Sequence, residues 1–207
     1  ENGRVILQVN PINNGGITKA AQAKVEKIAR SRNEQPATAV LLDEAAPRAK
    51  VVVSEITNMI NEEQTLDASP ERKALLGMMA DVRGTMGLSL ANIRAFLLTG
   101  DAKFSKNFSG LWAKNDRRFA DLSGQTDMMT PTQRASFDKL SKARAGFAAL
   151  PPKMFAIRGS KKWNMANYTL VMEAAPRADK LLTILVGAKQ ADGSRQGGMV
   201  ANQRSLL

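Results

Sequence analysis

The sequence predicts an all-α fold, organised as an antiparallel helical bundle. Along most of the 207 residues, apolar side chains recur three and four positions apart, as they do on the buried face of a helix. The alternation of apolar and polar residues that is typical of a β-strand occurs only in residues 4–9. Short turns separate the long helical patterns, so neighbouring helices are expected to pack antiparallel.

Six helices follow from this periodicity and from the residues that begin and end helices. The third is the clearest, because the Ser-Pro pair at 69–70 provides a cap and a first-turn proline, and Gly100 provides a tight turn at its end. Ser160 is expected to cap the sixth helix. The glycine-rich residues 191–198 predict a loop, after which helical spacing resumes at Met199. The predicted helices span residues 17–30, 37–61, 70–99, 102–122, 131–155 and 160–187.

One hexapeptide, Glu-Ala-Ala-Pro-Arg-Ala, occurs at residues 44–49 and again at residues 173–178. The same offset of 129 residues relates similar residues outside the hexapeptide. These pairs are Ile28 and Ile157, Ser31 and Ser160, Ala37 and Ala166, Leu41 and Leu170, and Val53 and Leu182. Residues 27–57 and 156–186 are therefore predicted to be two copies of one unit. The repeat suggests that residues 1–207 form a single region of two stacked helical modules that share long helices.

Each copy has a proline inside a predicted helix. Such a proline removes one backbone hydrogen bond and kinks the helix, at a cost of about 3 kcal/mol, which would leave the carbonyl groups of Asp43 and Met172 free. Because this cost is repeated, the kink is expected to have a use. The alternative is that both prolines simply follow helix breaks.

Composition excludes several classes of function. The chain has no cysteine and no histidine, which removes disulfides, thiol chemistry, Ser-His and Cys-His nucleophile systems, and zinc sites built from those ligands. The sequence also has no carboxylate pair, phosphate-binding loop or nucleophile elbow. We therefore expect no enzyme activity, no cofactor and no metal.

Charge and hydropathy indicate which partners the surface attracts and whether the chain could span a membrane. Lysine and arginine outnumber aspartate and glutamate by 30 to 19, so the surface field should attract anions. No apolar run approaches the roughly 20 residues that span a bilayer, and no signal peptide begins the chain. The sequence starts at Glu1 without methionine and stops at Leu207 within a helical pattern, which we interpret as an excised domain.

Several segments carry a resemblance to a known family. Residues 89–101 read Ser-Leu-Ala-Asn-Ile-Arg-Ala-Phe-Leu-Leu-Thr-Gly-Asp, and residues 112–115 read Trp-Ala-Lys-Asn. This stretch resembles the helix-turn-helix tip in the extracytoplasmic sensor regions of methyl-accepting chemotaxis receptors. Residues 154–177 are similar to the last helix of such regions. Residues 9–10, with 15–16, are similar to the segment after their first membrane helix.

The resemblance implies the periplasmic ligand-sensing domain of a bacterial chemoreceptor, with a helical bundle of the bimodular type. It implies a homodimer that is weak when excised, and a full-length protein held in the membrane. The ligand is expected to be a small anion, such as an organic acid, whose binding moves a helix and signals to the membrane and signalling domains. The tip sequence Phe-Leu-Leu-Thr-Gly-Asp also occurs in sensor kinases, so the sensor domain of a histidine kinase is an alternative.

A second alternative is a basic helical protein that binds nucleic acid, which the net charge of +11 suggests. Against this alternative, the basic residues are dispersed along the chain. The densest group, residues 158–162, contains only three charges, and no stripe of basic and aromatic residues is present. We therefore expect no nucleic acid as a partner.

Three arginines are candidate ligand-binding residues on the middle helices. Arg144 falls on the apolar stripe of the fifth predicted helix, where a charge needs a partner, and Asn115 on the fourth could supply part of it. The alternative is that Arg144 extends to solvent or pairs with an acidic residue. Arg83 and Arg94 flank the apolar stripe of the third helix, where arginines are usually solvated.

The repeat supplies the remaining candidates. Arg48 and Arg177 are predicted to point inward, where each guanidinium could hold a carboxylate by two parallel bonds. A different helical phase would turn Arg177 outward, and periodicity does not choose between the two. Arg177 is expected to matter more, because only its copy has an aromatic and amide cluster at the helix start, where free N–H groups favour an anion. That cluster consists of Trp163, Asn164, Asn167 and Tyr168, and its alternative role is to anchor the end of the bundle.

Overall fold

The structure, a computed structural model, describes residues 16–200. Within this range the chain folds into α-helices and one two-stranded antiparallel sheet, which confirms the all-α helical bundle. The helices are α1 (Gly16–Ala29), α2 (Pro36–Val40), α3 (Ala46–Glu63), α4 (Pro70–Thr99), α5 (Ala102–Ser123), α6 (Pro131–Ala148), α7 (Leu150–Arg158), α8 (Met165–Thr169) and α9 (Ala175–Val186). The strands are β1 (Gly187–Lys189) and β2 (Arg195–Gly197).

The turn between α4 and α5 forms where the sequence predicts it. The Ser69 hydroxyl accepts a hydrogen bond from the Arg72 N–H and caps the start of α4. Helix α4 ends at Gly100, whose φ of 73° lies in the left-handed region that glycine adopts without strain. The Asp101 carboxylate then accepts from the Lys103 N–H and starts α5. Two consecutive caps therefore fix a sharp reversal between the two longest helices of residues 16–200.

Three boundaries differ from the prediction. The fifth predicted helix is divided into α6 and α7, which meet at Ala149. The cap of the sixth is Asn164 rather than Ser160, whose hydroxyl instead forms a local turn with the Ile157 carbonyl and the Lys162 N–H. The predicted glycine-rich loop contributes a strand, β2, to a hairpin that separates α9 from the helical turn at Met199. Residues 4–9, with their strand-like alternation, lie outside the described range.

Both repeated helices continue through their prolines. A five-residue π-helical segment precedes each Ala-Pro pair, and we call these the first π segment (Leu41–Ala45) and the second π segment (Leu170–Ala174). In each segment a backbone N–H donates to the carbonyl five residues earlier, from Ala46 to Leu41 and from Ala175 to Leu170. The wider turn accommodates a residue that has no N–H to donate. The alternative that the prolines follow helix breaks is wrong.

The chain divides into two compact units. The central unit is Gln35–Trp163, and the terminal unit comprises the described residues 16–34 and 164–200. The boundaries after Glu34 and Trp163 are themselves 129 residues apart. Each predicted repeat therefore begins in one unit and ends in the other, so the repeats are not the units themselves. The stacking of two modules stays a prediction.

The central unit is a bundle of α3, α4, α5 and α6, in which α4 packs on α5 and α3 packs on both α4 and α6. Helix α7 covers α2 and the first π segment. Aromatic rings close one end, where Phe155 meets Phe96 and Phe108 edge to face. The fully buried large side chains include Val52, Ile56, Met59, Leu75, Met79, Val82, Met86, Ile93, Leu122, Gln133, Leu140, Phe147 and Met154.

The terminal unit, in the part that the structure describes, pairs α1 with α8 and the second π segment. Ala21, Ala166 and Thr169 are buried. The hairpin packs on α9, and the Arg195 guanidinium donates to the Gly187 carbonyl and to the Asp179 carboxylate. An arginine at this position satisfies a carbonyl at the end of α9.

Candidate functional site

Arg144 and Asn115 meet in the central unit, as the sequence suggests. The Asn115 side chain is fully buried, and its Oδ1 accepts from Arg144 Nε at 2.8 Å. Its Nδ2 donates to the Val82 carbonyl at 3.0 Å and to Thr85 Oγ1 at 2.8 Å. These three bonds join α4, α5 and α6 at one level of the bundle.

The guanidinium of Arg144 has several partners from the protein. It lies over the rings of Trp112 and Phe119, 4.7 and 4.3 Å from their centroids, and forms an ion pair with Asp116. The pairing with an acidic residue, which was the alternative to a ligand role, is confirmed. This cluster joins helices of the bundle, and its arginine already holds a carboxylate.

Arg48 is half-buried at the start of α3. Its Nη1 donates to the Glu44 carbonyl at 2.7 Å, in the first π segment. Its Nε lies only 2.9 Å from the point where a Cβ on Gly146 of α6 would stand. The side chain therefore occupies space that only a glycine leaves open. Among residues 16–200, no carboxylate pairs with this guanidinium.

Glu44, whose backbone carbonyl accepts from Arg48, has a carboxylate that pairs with a lysine of another helix. Lys153 of α7 approaches the Glu44 carboxylate at 3.4 Å. The terminal unit repeats this pair at an offset of 129 residues, where Lys24 of α1 donates to Glu173 at 2.7 Å. Each π segment thus presents a carboxylate to a lysine from the helix packed against it.

Arg177 differs from Arg48 despite the shared hexapeptide. Its side chain is exposed, so the predicted inward orientation is wrong. The less exposed side of α9 contains Leu181, from the inward phase, and Leu185, from the alternative phase, and each is half-buried. Arg177 acts on Glu173 only through its charge. It assists Lys24, whose hydrogen bond is the main cause that holds the pKa of the Glu173 carboxyl below its ordinary value.

The predicted cluster at the start of the sixth helix is occupied by groups of the protein. The Asn164 Oδ1 accepts from the Asn167 N–H at 2.8 Å, and Asn164 Nδ2 donates to the Glu34 carboxylate at 3.1 Å. A resident carboxylate therefore already lies at this helix start, where an anion was expected. Tyr168, the ring of the cluster that belongs to the terminal unit, is half-buried.

Trp163, the other aromatic residue of that predicted cluster, belongs to the central unit. The residue is 37% exposed, and the centroid of its ring lies 4.3 Å from the guanidinium carbon of Arg158. Arg158 Nε also donates to the Leu97 carbonyl at 2.9 Å, near the end of α4. The pair therefore fixes the end of α7 against the α4–α5 turn, which is the anchoring role.

Arg83 and Arg94 are both exposed on α4. Arg83 borders a groove between α3 and α4, together with Ile60, Gln64, Leu76, Ala80 and Gly84.

The sequence did not lead us to two residues near Arg48, which are Gly146, in contact with Arg48, and Lys153, paired with Glu44. Gly146 was not singled out, since a glycine in a helix is visible as a contact point only when the facing side chain is known. Lys153 could have been found, because the 129-residue offset relates it to Lys24 just as it relates Glu44 to Glu173.

Comparisons with protein-family models, curated proteins and solved structures find no match to this chain. Within residues 16–200, no helix combines the length and the apolarity needed to cross a membrane.

Proposed function

We propose that this chain is the periplasmic ligand-sensing domain of a chemoreceptor, and that it binds a small anion at Arg48 in the central unit. The observation that carries the anion site is a half-buried guanidinium with no carboxylate partner among the described residues. A guanidinium in such a place can grip a carboxylate through two parallel, charge-assisted bonds. The positive net charge draws anions toward the protein.

The position of Arg48 suits a sensor because it lies directly after the first π segment. π-Helical turns inside α-helices often mark functional sites, since the helix can change its register there. An anion on Arg48 competes with the Glu44 carbonyl for the same N–H groups. If the anion binds one arrangement of this helix better than another, binding shifts the population toward that arrangement. The shift would then move α3.

The receptor setting rests on the resemblance of residues 89–101 and on the helical bundle. In this setting the protein is a homodimer in the membrane and weakly dimeric as an excised domain. The sensor domain of a histidine kinase would also be a dimeric helical bundle in the membrane. The described residues favour neither a chemotaxis output nor a kinase output.

The first experiment is a thermal-shift screen of the chain with acetate, succinate, malate, citrate and inorganic phosphate at millimolar concentration. A ligand that binds only the folded state raises the melting temperature. Calorimetric titration of the best probe then compares Arg48→Lys with the matched variant Arg177→Lys. We expect about tenfold weaker binding or more for Arg48→Lys, since a lysine cannot form the two parallel bonds, and no change for Arg177→Lys.

A second variant separates binding from stability. Gly146→Ala introduces a Cβ that would contact Arg48 Nε at 2.9 Å, so the arginine must shift. Replacing a helical glycine by alanine also stabilises the helix by about 1 kcal/mol, which keeps the protein folded. Weaker binding with undiminished stability supports the site. Unchanged affinity in both Arg48→Lys and Gly146→Ala would refute it, and salt-sensitive binding of DNA without any response to acids would favour the nucleic-acid alternative.

A further inference from the structure

A groove between α3 and α4 of the central unit has a composition unlike that of the Arg48 site. Its volume is about 430 Å³, within the roughly 300–1,000 Å³ typical of small-molecule sites. Ile60 and Leu76 give it apolar walls, and Gly84 contributes no side chain, so this part of the groove stays open. The groove can therefore hold an apolar group several carbons long.

One charge stands at the rim of this groove. Arg83 borders the groove, and among residues 16–200 no hydrogen bond or ion pair engages its guanidinium. Two other charged side chains of α4 are paired, Asp81 with Arg118 and Arg72 with Glu63. A cation beside apolar walls is complementary to a molecule that has a carboxylate at one end and an apolar body at the other.

We propose that the groove between α3 and α4 binds a short-chain carboxylic acid, with the carboxylate on Arg83 and the apolar chain against Ile60, Leu76 and Ala80. The site shares no residue with the one at Arg48, and its ligand needs an apolar body that the Arg48 site does not require. It therefore stands or falls independently of the proposed anion site.

The test is an NMR titration of the whole ¹⁵N-labelled chain with hexanoate, compared with acetate and with hexylamine. Hexanoate should shift the amides of residues around the groove at lower concentration than acetate, which lacks the chain, or hexylamine, which lacks the carboxylate. Equal responses to hexanoate and hexylamine would overturn the role of Arg83, since the charge would then have no effect.

Two pairs of matched variants locate the site on α4. Gly84→Leu places a side chain in the groove and should abolish hexanoate binding, whereas Gly87→Leu, on the same helix and equally open, should leave it unchanged. Both changes replace a helical glycine by a better helix former, so both variants should fold. Arg83→Gln should weaken binding roughly tenfold. Arg94→Gln, an exposed arginine away from the groove, should have no effect. Wild-type binding in Gly84→Leu would overturn the proposal.

Discussion

The two π segments share a sequence pattern and a backbone, but they differ in what surrounds them. Ala45 has φ and ψ of −78° and −46°, and its counterpart Ala174 has −80° and −47°. Leu41, at the start of the first segment, is 6% exposed, whereas its counterpart Leu170 is 41% exposed. Local sequence thus sets the turn, while burial depends on which helices lie beside it.

The same difference explains the two arginines of the hexapeptide. Arg48 lies against α6 at a glycine, so its side chain is half-buried in a bundle of several helices. Arg177 belongs to a unit in which, among the described residues, α1 packs mainly on α8 and the second π segment, and it remains exposed. A repeated motif therefore need not repeat its function, and a site inferred from one copy has to be tested in each.

The strongest test of this difference between the units replaces one asparagine in each. Asn115→Ala in the central unit removes the acceptor of Arg144 Nε and the donor to Val82 and Thr85. We expect a loss of about 3 kcal/mol in the free energy of unfolding, because buried polar groups lose their partners. Denaturant unfolding measures it.

The matched variant is Asn167→Ala, at an exposed position in the terminal unit. It should change the free energy of unfolding by no more than about 0.5 kcal/mol, as most exposed substitutions do. If both variants lost similar stability, the two units would not differ as their burial indicates.

A smaller effect is expected at the glycine that ends α4. Gly100→Val places a β-branched residue at a φ of 73° and a Cβ 2.8 Å from Arg158 Nη2. The strain and the displaced arginine should lower the free energy of unfolding by about 1 to 2 kcal/mol, which thermal and denaturant unfolding would show. Unchanged stability would mean that the α4–α5 turn does not need its left-handed residue.

The corresponding glycine of the terminal unit is Gly187, which ends α9 with a φ of 105°. A Cβ there would lie 1.9 Å from the Gln196 carbonyl oxygen, so Gly187→Val should displace β2. The loss of cross-strand NMR contacts between Ala188 and Gln196 would show this. Stability of the central unit should be unaffected.

The sequence predicts the central helices well because their signals are local. Ser69, Pro70, Gly100 and Asp101 begin and end helices through contacts within a few residues, and the observed bounds of α4 match the predicted ones. The pairing of Arg144 with protein groups was also foreseen as an alternative, because a charge on an apolar stripe requires partners. Patterns of this kind need no knowledge of neighbouring elements.

The sites were harder to predict because they depend on contacts distant in the sequence. Periodicity alone could not decide that Arg177 faces outward, since both phases of α9 contain enough apolar residues. The role of Gly146 depends on Arg48, 98 residues away in the chain. The π segments were not predicted, because a proline inside a helix indicates only that the helix is disturbed. A wider π-helical turn accommodates the missing N–H of proline as well as a kink does.

The smallest expected effect concerns the ion pair of the terminal unit. The Lys24 hydrogen bond is the main cause that lowers the pKa of the Glu173 carboxyl from its ordinary 4.5, and the charge of Arg177 adds to it. A lowered pKa means that the pair stabilises the folded state above that ordinary value and that this contribution is lost as the pH falls through the lowered pKa. Because the carboxyl is solvated, the effect on stability should be slight.

The pKa itself is the better observable, and ¹³C NMR titration of the Glu173 carboxyl measures it directly. Lys24→Met should raise this pKa toward its ordinary value, and Arg177→Met should raise it by less, because the arginine acts only through its charge. A larger shift in Arg177→Met than in Lys24→Met would show that Arg177, and not Lys24, is the main partner of the Glu173 carboxylate. The two copies of the hexapeptide would then differ in which residue holds the glutamate of the π segment, since Lys153 holds Glu44 in the first copy.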